Sequence, residues 1–276
     1  MCIRDSFYLA FLLLLFFLIV RVVSFEWREK GDSPRWRAVW LWANALGSTG
    51  IALVWGIGLA NLIHGVPIDS NGDYDGNLLD LFRPYTVFAG LAFVLVFAFH
   101  GANYLGLRTT GDLHERVRVA ARRLAVPAAV VGAAFLVWTV VVAVDRNDKD
   151  VFPVVLPAAL GIAALALALF LVYAGRAGLA FTMTAIAAVA FVATLFTGLY
   201  PRVMVSSPNF GNSLDVAGAA SAHYTLAVMT VVALIVTPLV LLYQGWTYYV
   251  FRARITGEEV KPPEAFAPPT SGPTAG

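Results

Sequence analysis

The chain has 276 residues, 59% of them hydrophobic and 13% charged, with a formal net charge of +2. Soluble domains average roughly 45–50% apolar and 25% charged residues, so this composition excludes a water-soluble enzyme and predicts an all-α, polytopic bundle of transmembrane helices. A charge this close to zero predicts no nucleic-acid partner, and the single cysteine, Cys2, excludes an internal disulfide and any cysteine-based metal cluster.

Residues 1–6, MCIRDS, lack the basic start and small-residue cleavage site of a signal peptide. They read as a foreign or misassembled start on a chain truncated at its N-terminus. Seven spans follow. The first covers residues 7–25. The second opens at Asp32-Ser33-Pro34, a cap residue followed by proline at the first helical position, and runs to about residue 63. The others are predicted at 84–107, 124–144, 152–174, 177–200 and 221–251. Pro201 stops the sixth, and Pro238 is expected to kink the seventh. Residues 112–124 are predicted to lie along the membrane surface as a short helix, with Leu113, Val117, Ala120 and Leu124 on its apolar face. The transmembrane domain is expected to extend over residues 7–256. Residues 257–276, rich in Pro, Ala, Gly and Thr, are expected to form a disordered tail.

Lysine and arginine excess marks cytoplasmic loops. Arg28, Lys30, Arg35 and Arg37 follow the first span, Arg108, Arg116, Arg118, Arg122 and Arg123 follow the third, and Arg252, Arg254 and Lys261 follow the seventh. The connection after the second span instead carries Asp69, Asp73, Asp75 and Asp80. The pattern places the C-terminus in the cytoplasm.

Within this frame a few polar side chains stand out. Arg21 lies inside the first span, about 6 Å before its predicted end. It is read either as snorkelling or as a cation that pairs with a carboxylate, a quinone or a lipid headgroup, with Glu26 close by. His100, Asn103 and Tyr104 share one face of the third span at i, i+3, i+4. Histidine and asparagine facing lipid are unfavourable, so this face is expected to point into protein, either as interhelical hydrogen bonding or as the lining of a proton path or a haem ligand. His64, His114 and His223 do not match the depth of His100, so the chain is expected to bind no haem by itself. Trp27, Trp36, Trp40 and Trp42 flank the first basic connection, at headgroup level.

These stretches resemble a known family. FLIVRVVSFEWR (17–28), DSPRWRAVWLW (32–42), ANLIHGVPID (60–69), HGANYLGLRTTGDLHERVR (100–118) and YQGWTYYVFRARIT (243–256) together are similar to subunit II of the bacterial cytochrome bd quinol oxidase. The resemblance implies an eight-helix fold of two four-helix halves, here lacking its first helix. It also implies a multi-pass protein of the bacterial cytoplasmic membrane, in an enzyme that oxidises quinol and reduces dioxygen to water. The b-type haems and haem d belong to the partner, subunit I. Subunit II supports that partner and in some members holds a structural quinone; a small single-helix subunit is a further partner of such complexes. On this resemblance Arg21 and Glu26 are the candidates for a quinone site or an interior polar network. Trp27, Arg35, Trp36 and Arg37 match the cytoplasmic signature and are expected to position the interface. The competing reading is a secondary transporter, which a polar stripe and a proline-kinked helix would suit, although no inverted repeat is visible.

Overall fold

The computed structural model describes residues 2–70, 74, 76–207 and 209–253, and side chains from residue 7 onward. The predicted tail at 257–276 lies outside the described residues. Six long helices come first: α1 (Cys2–Arg28), α2 (Pro34–His64), α3 (Pro84–Arg108), α4 (Gly111–Asn147), α5 (Val151–Tyr173) and α6 (Ala177–Leu199). A short hairpin of β1 (Arg202–Met204) and β2 (Leu214–Asp215), a one-turn helix α7 (Val216–Ala219) and the last span α8 (His223–Val250) complete the order. Seven of these helices are long and apolar enough to cross a membrane.

Local chemistry accounts for most boundaries. Pro34 and Pro84 open α2 and α3 at the position where a missing N–H costs nothing. Gly65, at φ 100, and Gly175, at φ 74, take up the left-handed conformations that follow α2 and α5. Two boundaries differ from expectation. The first helix extends back to Cys2 rather than starting at residue 7. The surface helix expected at 112–124 is not a separate element, because α4 runs unbroken for 37 residues. No glycine or proline interrupts residues 112–126, and Pro127 removes only one backbone donor from a helix otherwise well supplied with alanine. The buried side of this segment is Val117, Ala121 and Ala125, while Leu113 and Ala120 face outward.

Helices α3, α4, α5 and α6 close into a four-helix ring, with α2 laid against α3 and α1 against α2. The ring interior is filled by Tyr85, Phe93, Val96, Phe135, Leu136 and Phe191 among small alanines. Phe135 is fully buried, with its ring 5.3 Å from that of Phe191 and 6.0 Å from that of Tyr85. None of the span of α8 is buried within the chain; Tyr248 reaches the ring of Tyr104 on α3, 6.4 Å away. At the end opposite the basic connections, Val66 bridges to Ser206, which ties the α2–α3 connection to the loop after α6, and Ile68 bridges to Tyr74 within that connection.

Candidate functional site

The α1–α2 hairpin carries the basic-end candidates. Its two helices run antiparallel and meet through small groups. Ser24, almost fully buried, accepts a hydrogen bond from Asn44 Nδ2 at 3.0 Å and donates to the Arg21 carbonyl at 2.6 Å. The Arg21 backbone lies directly against Gly47. The Arg21 side chain is exposed and makes no hydrogen bond or ion pair with any described residue, Glu26 included. The structure therefore does not bring Arg21 and Glu26 together: five residues apart on a helix, they point to different faces.

It does bring the tryptophans together. Trp27 stacks on Trp36 at 6.1 Å and meets Trp40 at 5.4 Å, and Trp36 Nε1 donates to the Trp27 carbonyl at 2.7 Å. Gly31 makes this possible, because a Cβ there would lie 2.5 Å from the Trp36 ring. Arg35 is exposed, and Arg37 makes only a long 3.9 Å contact with Asp32. Trp40 Nε1 is a buried donor with no partner among the described residues.

The stripe on α3 separates into three environments. His100 Nδ1 lies 2.8 Å from Thr184 Oγ1 on α6, and its ring stacks on Phe181 at 4.5 Å. Thr184 gives its one hydroxyl proton to the Phe181 carbonyl at 2.9 Å, so Nδ1 of His100 must be the donor. Asn103, almost fully buried, donates to the Phe99 carbonyl of its own helix at 2.8 Å. It also lines a cavity of ≈ 60 Å³ with His114 and Arg118. The Tyr104 hydroxyl accepts from Arg108 Nε at 3.3 Å, and its ring packs on Phe181. Replacing Thr184 with valine leaves the His100 N–H half-buried and unpaired. It is expected to cost about 1 kcal/mol, read as a lower Tm of the purified complex, whereas Thr184→Ser restores the wild-type value.

Sequence reasoning missed a second polar cluster at the opposite end. Arg83 Nη1 donates to His64 Nδ1 at 3.1 Å and to the Gly65 carbonyl at 3.3 Å, and Arg83 Nη2 reaches Ser207 Oγ at 3.4 Å. Arginine has only donors, so Nδ1 of His64 carries the lone pair. Asn147, buried, donates to the Ile63 and Gly198 carbonyls at 3.3 Å each, which ties the ends of α2 and α6 to the end of α4. Nothing in the sequence marks these partners, since they lie 18 to 124 positions apart. The His64 ring stacks on Tyr85, 5.5 Å between centroids.

The profile of the cytochrome bd terminal oxidase subunit II family matches residues 2–251. The chain belongs to this family. It is 33% identical to the cytochrome bd ubiquinol oxidase subunit 2 of Bacillus subtilis, over 92% of this chain and 75% of that protein. Identity to the cytochrome bd-I ubiquinol oxidase subunit 2 of Escherichia coli K12 is 31%, over 93% and 76%. A probable cytochrome oxidase subunit 2 of Haemophilus influenzae is 30% identical over 88% and 73%. As a subunit II, the chain is part of a bd-type quinol oxidase, an oxidoreductase, and is a multi-pass protein of a bacterial membrane. The transporter alternative receives no support from these relatives.

Proposed function

We propose that the chain is the supporting subunit of the oxidase, docked in the cytoplasmic membrane beside a haem-bearing subunit I that holds haems b and d. The observation that carries this is the family match across nearly the whole chain. The haems supply electron transfer and oxygen reduction when bound in the partner. The residues of this chain hold its shape and surface. Basic residues at the α1–α2, α3–α4 and α5–α6 connections and after α8 support a cytoplasmic C-terminus.

In this reading the exposed Arg21 makes its contact outside its own helix hairpin. A charge at that depth is costly without a partner. Its free N–H donors suit a quinone carbonyl, a lipid phosphate or a carboxylate of subunit I, and Glu26 lies on the same rim. Trp27, Trp36, Arg35 and Arg37 anchor the hairpin at headgroup level. His100 and Tyr104 act as a seam that binds α3 to α6 through Thr184 and Phe181, while Asn103 bonds its own helix and lines the cavity at the basic end. A small single-helix subunit would be a third component.

The test is co-expression with a subunit I, followed by purification. A complex carrying the haem d absorption band, oxidising quinol and consuming oxygen, is expected. Arg21→Ala in that complex should lower retained quinone or the yield of assembled complex about fivefold to tenfold, the worth of roughly 1 to 1.4 kcal/mol. Arg21→Lys should restore part of the loss. A chain that purifies with no haem-bearing partner would refute the supporting role.

A further inference from the structure

We propose that the outer face of α6 holds a zwitterionic phospholipid with a primary ammonium head, seated in a groove that runs from the α4–α5 connection to mid-bilayer. The groove has two parts. The first, ≈ 410 Å³, is lined by Lys149, Asp150, Pro153, Thr197 and Tyr200. The second, ≈ 510 Å³, is lined by Trp55, Phe93, Phe97, Val189 and Val192. Ala193 and Phe196 wall both, so the two parts are continuous.

The dimensions fit one leaflet. Ala188, at the deep end, precedes Tyr200 by twelve positions on α6, about 18 Å at the helical rise. Trp55 lies nine positions before the end of α2 at His64, and Phe93 nine positions after the start of α3 at Pro84. Both are about 14 Å deep. Half of a hydrocarbon core is about 15 Å. Three helices thus place the floor of the groove at the bilayer midplane and its mouth at headgroup level.

The charged groups are confined to the mouth. Lys149 and Asp150 are neighbours, yet neither makes an ion pair with a described residue. Lys149 Nζ lies 5.8 Å from the centre of the Tyr200 ring. The Thr197 hydroxyl is already used, donating to the Ala193 carbonyl at 2.8 Å. What remains is one ammonium, one carboxylate and an exposed aromatic ring above a channel without charged side chains. A phosphate accepts from Lys149, a primary ammonium donates to Asp150, and an acyl chain lies along Phe196, Val192 and Val189. A purely anionic head leaves Asp150 opposed to charge of its own sign. A quaternary ammonium has no N–H to give it.

The experiment uses the full oxidase complex in vesicles of phosphatidylethanolamine and phosphatidylglycerol. Either lipid carries a photoactivatable diazirine in its acyl chain, and cross-links are mapped by mass spectrometry. The ethanolamine probe is expected to label residues 188–200 about fivefold more than the glycerol probe. Lys149→Gln and Asp150→Asn should each lower that labelling about fivefold, while Lys149→Arg keeps it. The haem spectrum reports that each variant still assembles. Equal labelling by both probes, unchanged labelling in both charge variants, or no labelling because a helix of the partner fills the groove would each overturn the proposal. The inference rests on bilayer placement and on the charges at the groove mouth, not on the quinol-oxidase reading.

Discussion

Gly90→Ala is expected to destabilise the protein, and Gly58→Ala to leave it unchanged or more stable. Gly56 and Gly90 face each other where α2 crosses α3. A Cβ on Gly90 would come within 2.9 Å of the Leu53 carbonyl oxygen and 2.8 Å of Leu53 Cδ1. A Cβ on Gly56 would come within 2.8 Å of Gly90 Cα. The obstacles include backbone, which cannot rotate away, so relief requires the helices to separate. In lipid, helix association rests on such close packing, because hydrocarbon tails solvate an apolar helix as well as another helix does. Overpacking of this kind costs about 1–3 kcal/mol. Gly58 lies two positions from Gly56 in the same helix, and a Cβ there would meet no described atom within 4 Å. At that position alanine adds only helix propensity, about 0.8–1.0 kcal/mol in favour. Thermal melting of the purified complex separates the two signs, and equal shifts would show that the crossing is not held by the glycine contact.

Phe135→Ala is expected to be the most damaging truncation in the ring interior. The side chain is fully buried and meets Tyr85, Phe93 and Phe191 at ring separations of 6.0, 6.1 and 5.3 Å. In water-soluble cores a phenylalanine-to-alanine change costs about 3–5 kcal/mol. Here the transfer part shrinks, because the unfolded helices stay in lipid, while the lost dispersion contacts remain. A loss of about 2–3 kcal/mol is expected on those terms. Phe135→Leu should recover more than half of it. Tyr85→Phe, which removes only the 3.0 Å hydrogen bond to Thr139, should cost about 1 kcal/mol. The measurement is resistance of the assembled complex to heat or to denaturing detergent.

Most of the architecture was legible as a pattern of lengths. Apolar runs near twenty residues are required by bilayer thickness, and prolines and glycines mark where they stop. The predicted spans from the second to the seventh therefore agree closely with the helices, except for α4, which is longer at both ends. That exception is instructive. The segment before residue 124 is amphipathic, and amphipathicity alone suits a helix lying on a membrane as well as one rising out of it. Continuity is a backbone property, and nothing between Asp112 and Val126 interrupts it.

The polar sites were legible only as unsatisfied demands. That His100 and Asn103 cannot face lipid follows from their chemistry at their depth. That His100 reaches Thr184, while Asn103 turns back to its own helix, does not follow, because the partner lies 84 positions away in a run of alanines. The Arg83–His64 contact was hidden for the same reason.

Sequence alone determined that this chain crosses a membrane, how many times, and which ends of the helices are basic, because bilayer thickness and charge placement act on each segment separately. Only tertiary structure decided which helices form the ring, which glycines touch, and which polar atoms find partners, because those depend on distances between segments that no local pattern encodes.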